Sequence, residues 1–308
     1  MTMTETPPPP IEERGAEPAS EPHGAPYLIL QFLVFPLAMV AVGVGVFVLF
    51  GLITAEGKGP RDYLDLIRTG SSNRRWQAAY ELSKVIQIGK DPGLGDPRLV
   101  TEMVTVFEDA ENDDPRVQRY LGLTLGRLGD PRAVPALLDY LEAAQSGEAA
   151  QSDSETQIFA VWALGAIGDE TAVPELVALT THEDSGLRKT AVHALGVFPS
   201  EEATEAMRTA LGDSVEDVRW NAATALAHRG EPAAVPVLEQ MLDRGQLARV
   251  EAITPEQTEE IVLQAVAAAA FLPDPGLSTR LAELRDDDPS LRVQDAARRS
   301  LDHLKAGD

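Results

Sequence analysis

The densest groupings of potentially reactive side chains are two carboxylate runs, EDAENDDP at 108–115 and RDDDP at 285–289. Clustered carboxylates can hold a divalent cation or divide acid and base roles between them. Each run ends in Asp-Pro, however, and Asp114 and Asp288 stand where a helix N-cap precedes a proline at the first helical position. Solvated capping loops account for both. The five histidines (His23, His182, His193, His228, His303) are scattered, with no HExxH pair, and there is no cysteine. Thiolate zinc sites, cysteine nucleophiles and disulfides are therefore excluded, and a histidine-rich metal site is not expected. No Ser/His/Asp order with supporting context occurs, and no glycine loop built to cradle phosphate. The expectation is a protein without catalytic residues, metal or cofactor.

Charge narrows the partners. The chain has 26 Lys+Arg against 49 Asp+Glu, a net charge of −23. Broad binding to nucleic-acid phosphates needs a basic surface, so no nucleic acid is expected. Along the chain three zones separate. Residues 1–26, MTMTETPPPPIEERGAEPASEPHGAP, are rich in Pro, Glu and Ala. Such a segment buries too little surface to offset its ordering entropy, and it reads as a disordered tail.

Residues 27–53, YLILQFLVFPLAMVAVGVGVFVLFGLI, contain no charge. As a helix they would span roughly 40 Å against a hydrocarbon core of roughly 30 Å, which tilt accommodates. A single transmembrane helix is the expectation, since the run is too long for a signal peptide and no small-residue cleavage site follows. Only Arg14 precedes it, whereas Lys58, Arg61, Arg68, Arg74 and Arg75 follow. The positive-inside rule then puts the C-terminal side in the cytoplasm of a cell (inner) membrane, crossed once. Residues 54–60 form a linker to the remainder, 61–308.

That remainder repeats. Aligned on one column, it reads Leu82, Leu125, Leu164, Leu195, Leu226, Ala269, Leu301, with successive spacings of 43, 39, 31, 31, 43 and 32. Periodicity of this length signals a solenoid. Each unit holds two apolar-periodic helices. The first begins as in GDPRAVPALLDYL (129–141), GDETAVPELVAL (168–179) or GEPAAVPVLEQML (230–242). Asp130 suits an N-cap and Pro131 the first helical position; Pro135, Pro174 and Pro236 are expected to bend the early helix. The second runs as in DVRWNAATALAHRG (217–230) or GLRKTAVHALGVF (186–198). Insertions fall at 87–96, 142–155 and 243–259. In the last, Thr254, Pro255, Glu256 and Gln257 make a capping box.

The GDPRAVPALL and DVRWNAATALA patterns resemble HEAT repeats, specifically the phycobilisome-lyase HEAT-like kind, over nearly all of 60–305. The resemblance implies an all-α fold: an α-solenoid, or superhelix, of about seven two-helix repeats, here preceded by the transmembrane helix. It also implies an inter-repeat ladder from an Asp and an Arg six residues apart. Asp213 and Arg219 match that pattern, Arg75 and Arg188 keep only the Arg, and Gln118, Gln157 and Gln294 replace it. The resemblance further implies that the second helices line a concave wall.

Numbered from this Arg/Gln column, the core side is the preceding residue with +3, +7 and +10, and positions +1, +5 and +8 are expected opposite. The +1 and +5 columns hold all three tryptophans, and Gly or Ala at +8 is expected to leave space around them. Trp76, Tyr80, Trp162, His193 and Trp220, with Arg119 and Lys189, are thus the candidate partner surface; the other reading has these rings packed between repeats. The expected role is a membrane-anchored, non-enzymatic scaffold of a bacterial cell that recruits a protein partner at a membrane-associated complex. The alternative, drawn from the family resemblance, is a bilin lyase-like accessory enzyme handling a chromophore.

Overall fold

A computed structural model describes residues 35–54, 58–111, 113–146, 153–250 and 253–307. The chain divides into two units, Met1–Gly57 and Lys58–Asp308. In the first, the described part is a helix, α1, Phe35–Thr54. Its described large apolar side chains, from Phe35 to Val48, are exposed. The span expected over 27–53 is not found whole, because 27–34 lie outside the described residues, as does the tail 1–26. Among the described residues no helix is long and apolar enough to cross a membrane.

The described residues of the second unit form an all-helical solenoid of seven helix pairs. In chain order they are α2 Pro60–Thr69 with α3 Ser72–Ile88, α4 Leu99–Asp109 with α5 Pro115–Leu128, and α6 Val134–Ser146 with α7 Ser154–Ile167. Then come α8 Val173–Leu179 with α9 Ser185–Leu195, and α10 Glu201–Ala210 with α11 Glu216–Ala227. The sixth pair, α12 Val235–Leu242 and α14 Pro255–Ala269, is interrupted by the short α13 Arg244–Leu247, and α15 Pro275–Asp287 with α16 Leu291–Gly307 closes the array. The second helices α3, α5, α7, α9, α11, α14 and α16 pack in series.

Local sequence explains the starts and stops. Asp114, Asp153 and Asp184 accept backbone N–H bonds at the starts of α5, α7 and α9, and the Thr254–Gln257 capping box opens α14. Gly89, Gly129 and Gly168 terminate α3, α5 and α7 with positive φ. The prolines expected to bend the first helices do otherwise. Asp130 caps a 3-10 turn, Pro131–Ala133, and the α-helix starts only at Val134. Pro174 and Pro236 likewise fall in the opening positions of α8 and α12, where the missing N–H has no intrahelical partner to lose.

The aligned column is the centre of the core. Leu82, Leu125, Leu164, Leu195, Leu226 and Ala269 are fully buried and Leu301 nearly so. The +3 column, six alanines (Ala78, Ala160, Ala191, Ala222, Ala265 and Ala297) and Leu121, is buried beside it. At +10 the pattern breaks, since Arg229 occupies the apolar position. Its guanidinium donates to Thr204 Oγ1 and to the carbonyls of Leu195 (2.8 Å) and Phe198, closing the C-terminal end of α9. Burial lowers its pKa from the usual arginine value.

The ladder has carboxylate rungs between repeats and backbone-carbonyl rungs within them. The Asp213 carboxylate does not pair with the Arg219 side chain six residues on. It accepts two bonds from Arg188 of the preceding repeat, at 2.7 and 2.9 Å. Arg219 instead donates to the Asp213 carbonyl at 2.6 Å and pairs with Glu216. Arg75 pairs with Asp113 of the next repeat at 2.7 Å. Gln294 donates to the Asp288 carbonyl and Gln118 to that of Phe107. Gln157 is half-buried at the same column of α7. In the sixth repeat the column holds Val262, which cannot bond. There Arg244, from the insertion, reaches Asp288 of the seventh repeat with two bonds at 2.7 and 2.9 Å.

The Arg188 guanidinium, through its hydrogen bonds, holds the Asp213 carboxyl below the usual carboxylate range. A depressed folded-state pKa adds stability that is complete above the unfolded value of about 4 and is lost as pH falls through the folded value. Asp213→Asn is therefore expected to be less stable than the natural chain at pH 7. The gap should close as the pH drops below about 4. Urea midpoints at neutral and acid pH measure this.

Candidate functional site

The second-helix row carries one exposed strip, but not at the columns expected. Besides the core face, each second helix buries the flank that meets the next second helix. Columns +4 and +8 are buried along the middle of the row, as at Val161, Val192, Ala223, Gly126, Gly165 and Ala227. At roughly 100° per residue, the centre of the free face then moves to +2, +5 and +9. Position +1 lies at the edge of the packed flank.

Trp220, at +1, is accordingly buried, with 8% of its surface exposed, and leaves the stripe. Trp76 and Trp162 are half-buried against the core, while Lys189 and His193 are exposed. The +8 glycines do not open space around the rings. A Cβ on Gly126 would lie 2.7 Å from Ala163 Cα and 2.8 Å from the Trp162 ring, and one on Gly165 would lie 2.7 Å from Ala194 Cβ. They are the crossing points where helices touch, and the Trp162 ring lies over one of them.

The structure gathers the seven predicted residues into separate places. Trp162, Lys189 and His193 share a groove of about 430 Å³ across α5, α7, α9 and α11. Leu123, Ile158, Phe159, Thr190 and Asn221 complete its lining. Phe159, Thr190 and Asn221 form the +2 column there, which core periodicity alone does not single out, because the flank packed against the next second helix turns the free face away from +1 and +8. Trp76 and Tyr80 belong to a second cluster. The Arg116 guanidinium stands 4.2 Å over the Trp76 ring, Tyr80 meets Tyr120 at 5.2 Å, and Lys84 lies 4.1 Å over Tyr80. The Trp76 indole N–H donates to Asn73 Oδ1.

Arg119 is in neither place. It is an inter-repeat tie, pairing with Asp153 at 2.9 Å and Glu155 at 2.7 Å at the start of α7. Lys189 makes the corresponding tie to Asp217 of α11 at 2.9 Å. A third exposed cluster was missed altogether. At +9, Phe271 lies between His228 and His303, with ring centroids 4.5 and 5.8 Å apart. Among the described residues no group of three or more His, Asp or Glu side chains is placed to hold a metal ion. The arrangement offers recognition: an apolar floor of Leu123, Ile158, Phe159 and Trp162 with polar groups from Lys189, Thr190, His193 and Asn221 at its edge.

Comparisons with known proteins address the fold. Residues 147–214 and 178–256 match the family described as HEAT repeats, and 117–143 match the PBS lyase HEAT-like repeat. Curated proteins give no match. Among solved structures, the complex of CpcE and CpcF of phycocyanin lyase from Nostoc sp. PCC7120 is similar at 19% identity and a TM-score of 0.50, covering 82% of this chain and 97% of that one. An archaeal HEAT-like repeats protein from Thermococcus onnurineus NA1 is 14% identical with a TM-score of 0.42, covering 82% and 98%. Human deoxyhypusine hydroxylase is 18% identical with a TM-score of 0.33, covering 80% and 96%. Within the solenoid, residues 147–256 thus match HEAT repeats and residues 117–143 a PBS lyase HEAT-like repeat.

Proposed function

We propose that the protein is a membrane-anchored scaffold that holds a protein partner on its second-helix face, without catalysing a reaction. The observation that carries the binding role is the groove, where four apolar side chains from adjacent repeats are left half-exposed on a rigid helical row. A concave apolar floor edged by a few polar groups is the form of a binding site, and large aromatics supply contact area at low entropy cost.

The anchor is supported by the run 27–53, which has no charge, and by α1, whose described apolar side chains are exposed. Water is a poor solvent for such a helix, and a bilayer is a good one. Charge supports the orientation. Residues 58–98 carry 8 Lys+Arg and 5 Asp+Glu, a net +3, whereas residues 99–308 carry 17 and 38, a net −21. The first repeat is thus the one suited to an anionic cytoplasmic leaflet.

The test is site-specific photocrosslinking from Phe159 of the full chain in its native membranes. One discrete adduct that disappears in Trp162→Ala is the expected result, with affinity falling about 30-fold for loss of a central aromatic anchor. Trp162→Ala should stay folded by circular dichroism. A folded variant with an unchanged adduct would sink the groove as the binding surface. Extraction of the chain by alkaline carbonate would sink the anchor.

A further inference from the structure

We infer that the segment seated in the groove is basic, carries an apolar or aromatic anchor residue, and lies beside a membrane span of another protein. This rests on the scaffold reading above and names its partner class.

The floor of Leu123, Ile158, Phe159 and Trp162 has to be covered by an apolar side chain, since an isolated charge placed there would lose its hydration without a partner. The sign of the flanking residues follows from what surrounds the floor. Four cations beside the groove already have carboxylate partners, and Arg127 on α5 donates to the Ser83 carbonyl. Lys189 is held by Asp217, Arg119 by Asp153 and Glu155, Arg188 by Asp213 and Arg219 by Glu216. An acidic segment would have to displace one of these carboxylates for each contact it made. The carboxylates are differently placed: Glu155 and Asp217 each keep more than half of the side chain exposed while paired, and Glu183 is exposed at the preceding turn. Beyond the local groups, residues 99–308 carry a net −21, a field that concentrates cationic segments and repels anionic ones.

The anchor supplies the last constraint. A solenoid on the short linker 54–60 works among segments close to the bilayer. On the cytoplasmic side these are the juxtamembrane loops of other membrane proteins, which carry an excess of Lys and Arg next to apolar and aromatic residues. Basic flanks and an apolar anchor are the two features that the groove and its field select.

The experiment uses the full chain in detergent micelles and three fluorescent synthetic peptides. One has Lys and Arg flanking a central Leu-Trp-Leu, one has Glu in place of each basic residue, and one keeps the basic flanks around Ser-Gly-Ser. Fluorescence anisotropy is expected to show saturable binding of the first peptide, about tenfold weaker in high salt. Binding should be about 30-fold weaker in Trp162→Ala or Phe159→Ala, checked as folded by circular dichroism. The glutamate and Ser-Gly-Ser peptides should bind at least tenfold more weakly than the first. Equal binding of the glutamate peptide would overturn the charge assignment while leaving the groove in place. Equal binding of the Ser-Gly-Ser peptide, or insensitivity to both substitutions, would reduce the effect to diffuse attraction and overturn the proposal. Loss of the Phe159 crosslink in membranes, by contrast, bears on the scaffold reading and is scored separately.

Discussion

Gly165→Val is expected to destabilise the solenoid by about 3 kcal/mol, lowering its melting temperature by about 10 °C. Gly165 on α7 meets α9 where a Cβ would stand 2.7 Å from Ala194 Cβ and 2.9 Å from Ala194 Cα. The second of these is backbone, so relief requires one helix to move against the other. Valine adds two methyls to that conflict. Because each repeat touches only its neighbours, the damage falls on the seam between the third and fourth repeats. Urea unfolding followed by circular dichroism should broaden or split into two steps as the halves uncouple. Gly122→Ala is the control. It is also buried in a second helix, but its added Cβ would meet only Phe107 Cε2, at 3.8 Å. Removing a helical glycine without a clash should be neutral or stabilising by up to about 1 kcal/mol. A Gly165→Val protein as stable as its parent would refute the close-crossing account of the +8 column.

Asp288→Ala should cost about 3–5 kcal/mol, because it strands a cation beside a buried site. The Asp288 side chain is 1% exposed and binds Arg244 through both oxygens. It also accepts the Ser290 N–H at 2.8 Å, fixing the turn into α16. Asp288→Asn keeps the turn and part of the pairing, so its loss should be smaller. In the double variant Arg244→Met/Asp288→Leu no charge is left unpaired, and it should be more stable than Asp288→Ala. A coupling energy of about 2 kcal/mol or more in a double-mutant cycle on Arg244 and Asp288 is the expected measure. Additive effects would show that Arg244 is not the missing rung.

These two residues mark how far the sequence could be read. Leu82 to Leu301 could be aligned, and that column proved to be the core, because burial against a helix's own partner imposes a period on every repeat. The helix starts were equally legible at Asp114 and Thr254, since a cap acts within three residues of itself; Asp288, expected as a solvated cap before Pro289, is instead buried on Arg244, and the helix starts only at Leu291. Arg244 was not legible. It lies in an insertion that breaks the period, and only the folded chain carries it across to Asp288.

The candidate site divides along the same line. Trp162, Lys189 and His193 were named from their columns, and the structure brings them into one groove. Trp220 shared the column of Lys189 and is buried, whereas Phe159 and Asn221, one position further on, line the opening. By itself the sequence determined the repeat, the capped helix pairs, the acidic body and the uncharged run before it. All of these depend on interactions within a repeat or on composition. Tertiary structure decided which face of the second helices stays free. That depends on how closely neighbouring helices approach at Gly126 and Gly165, a distance between repeats that no periodicity within one repeat encodes.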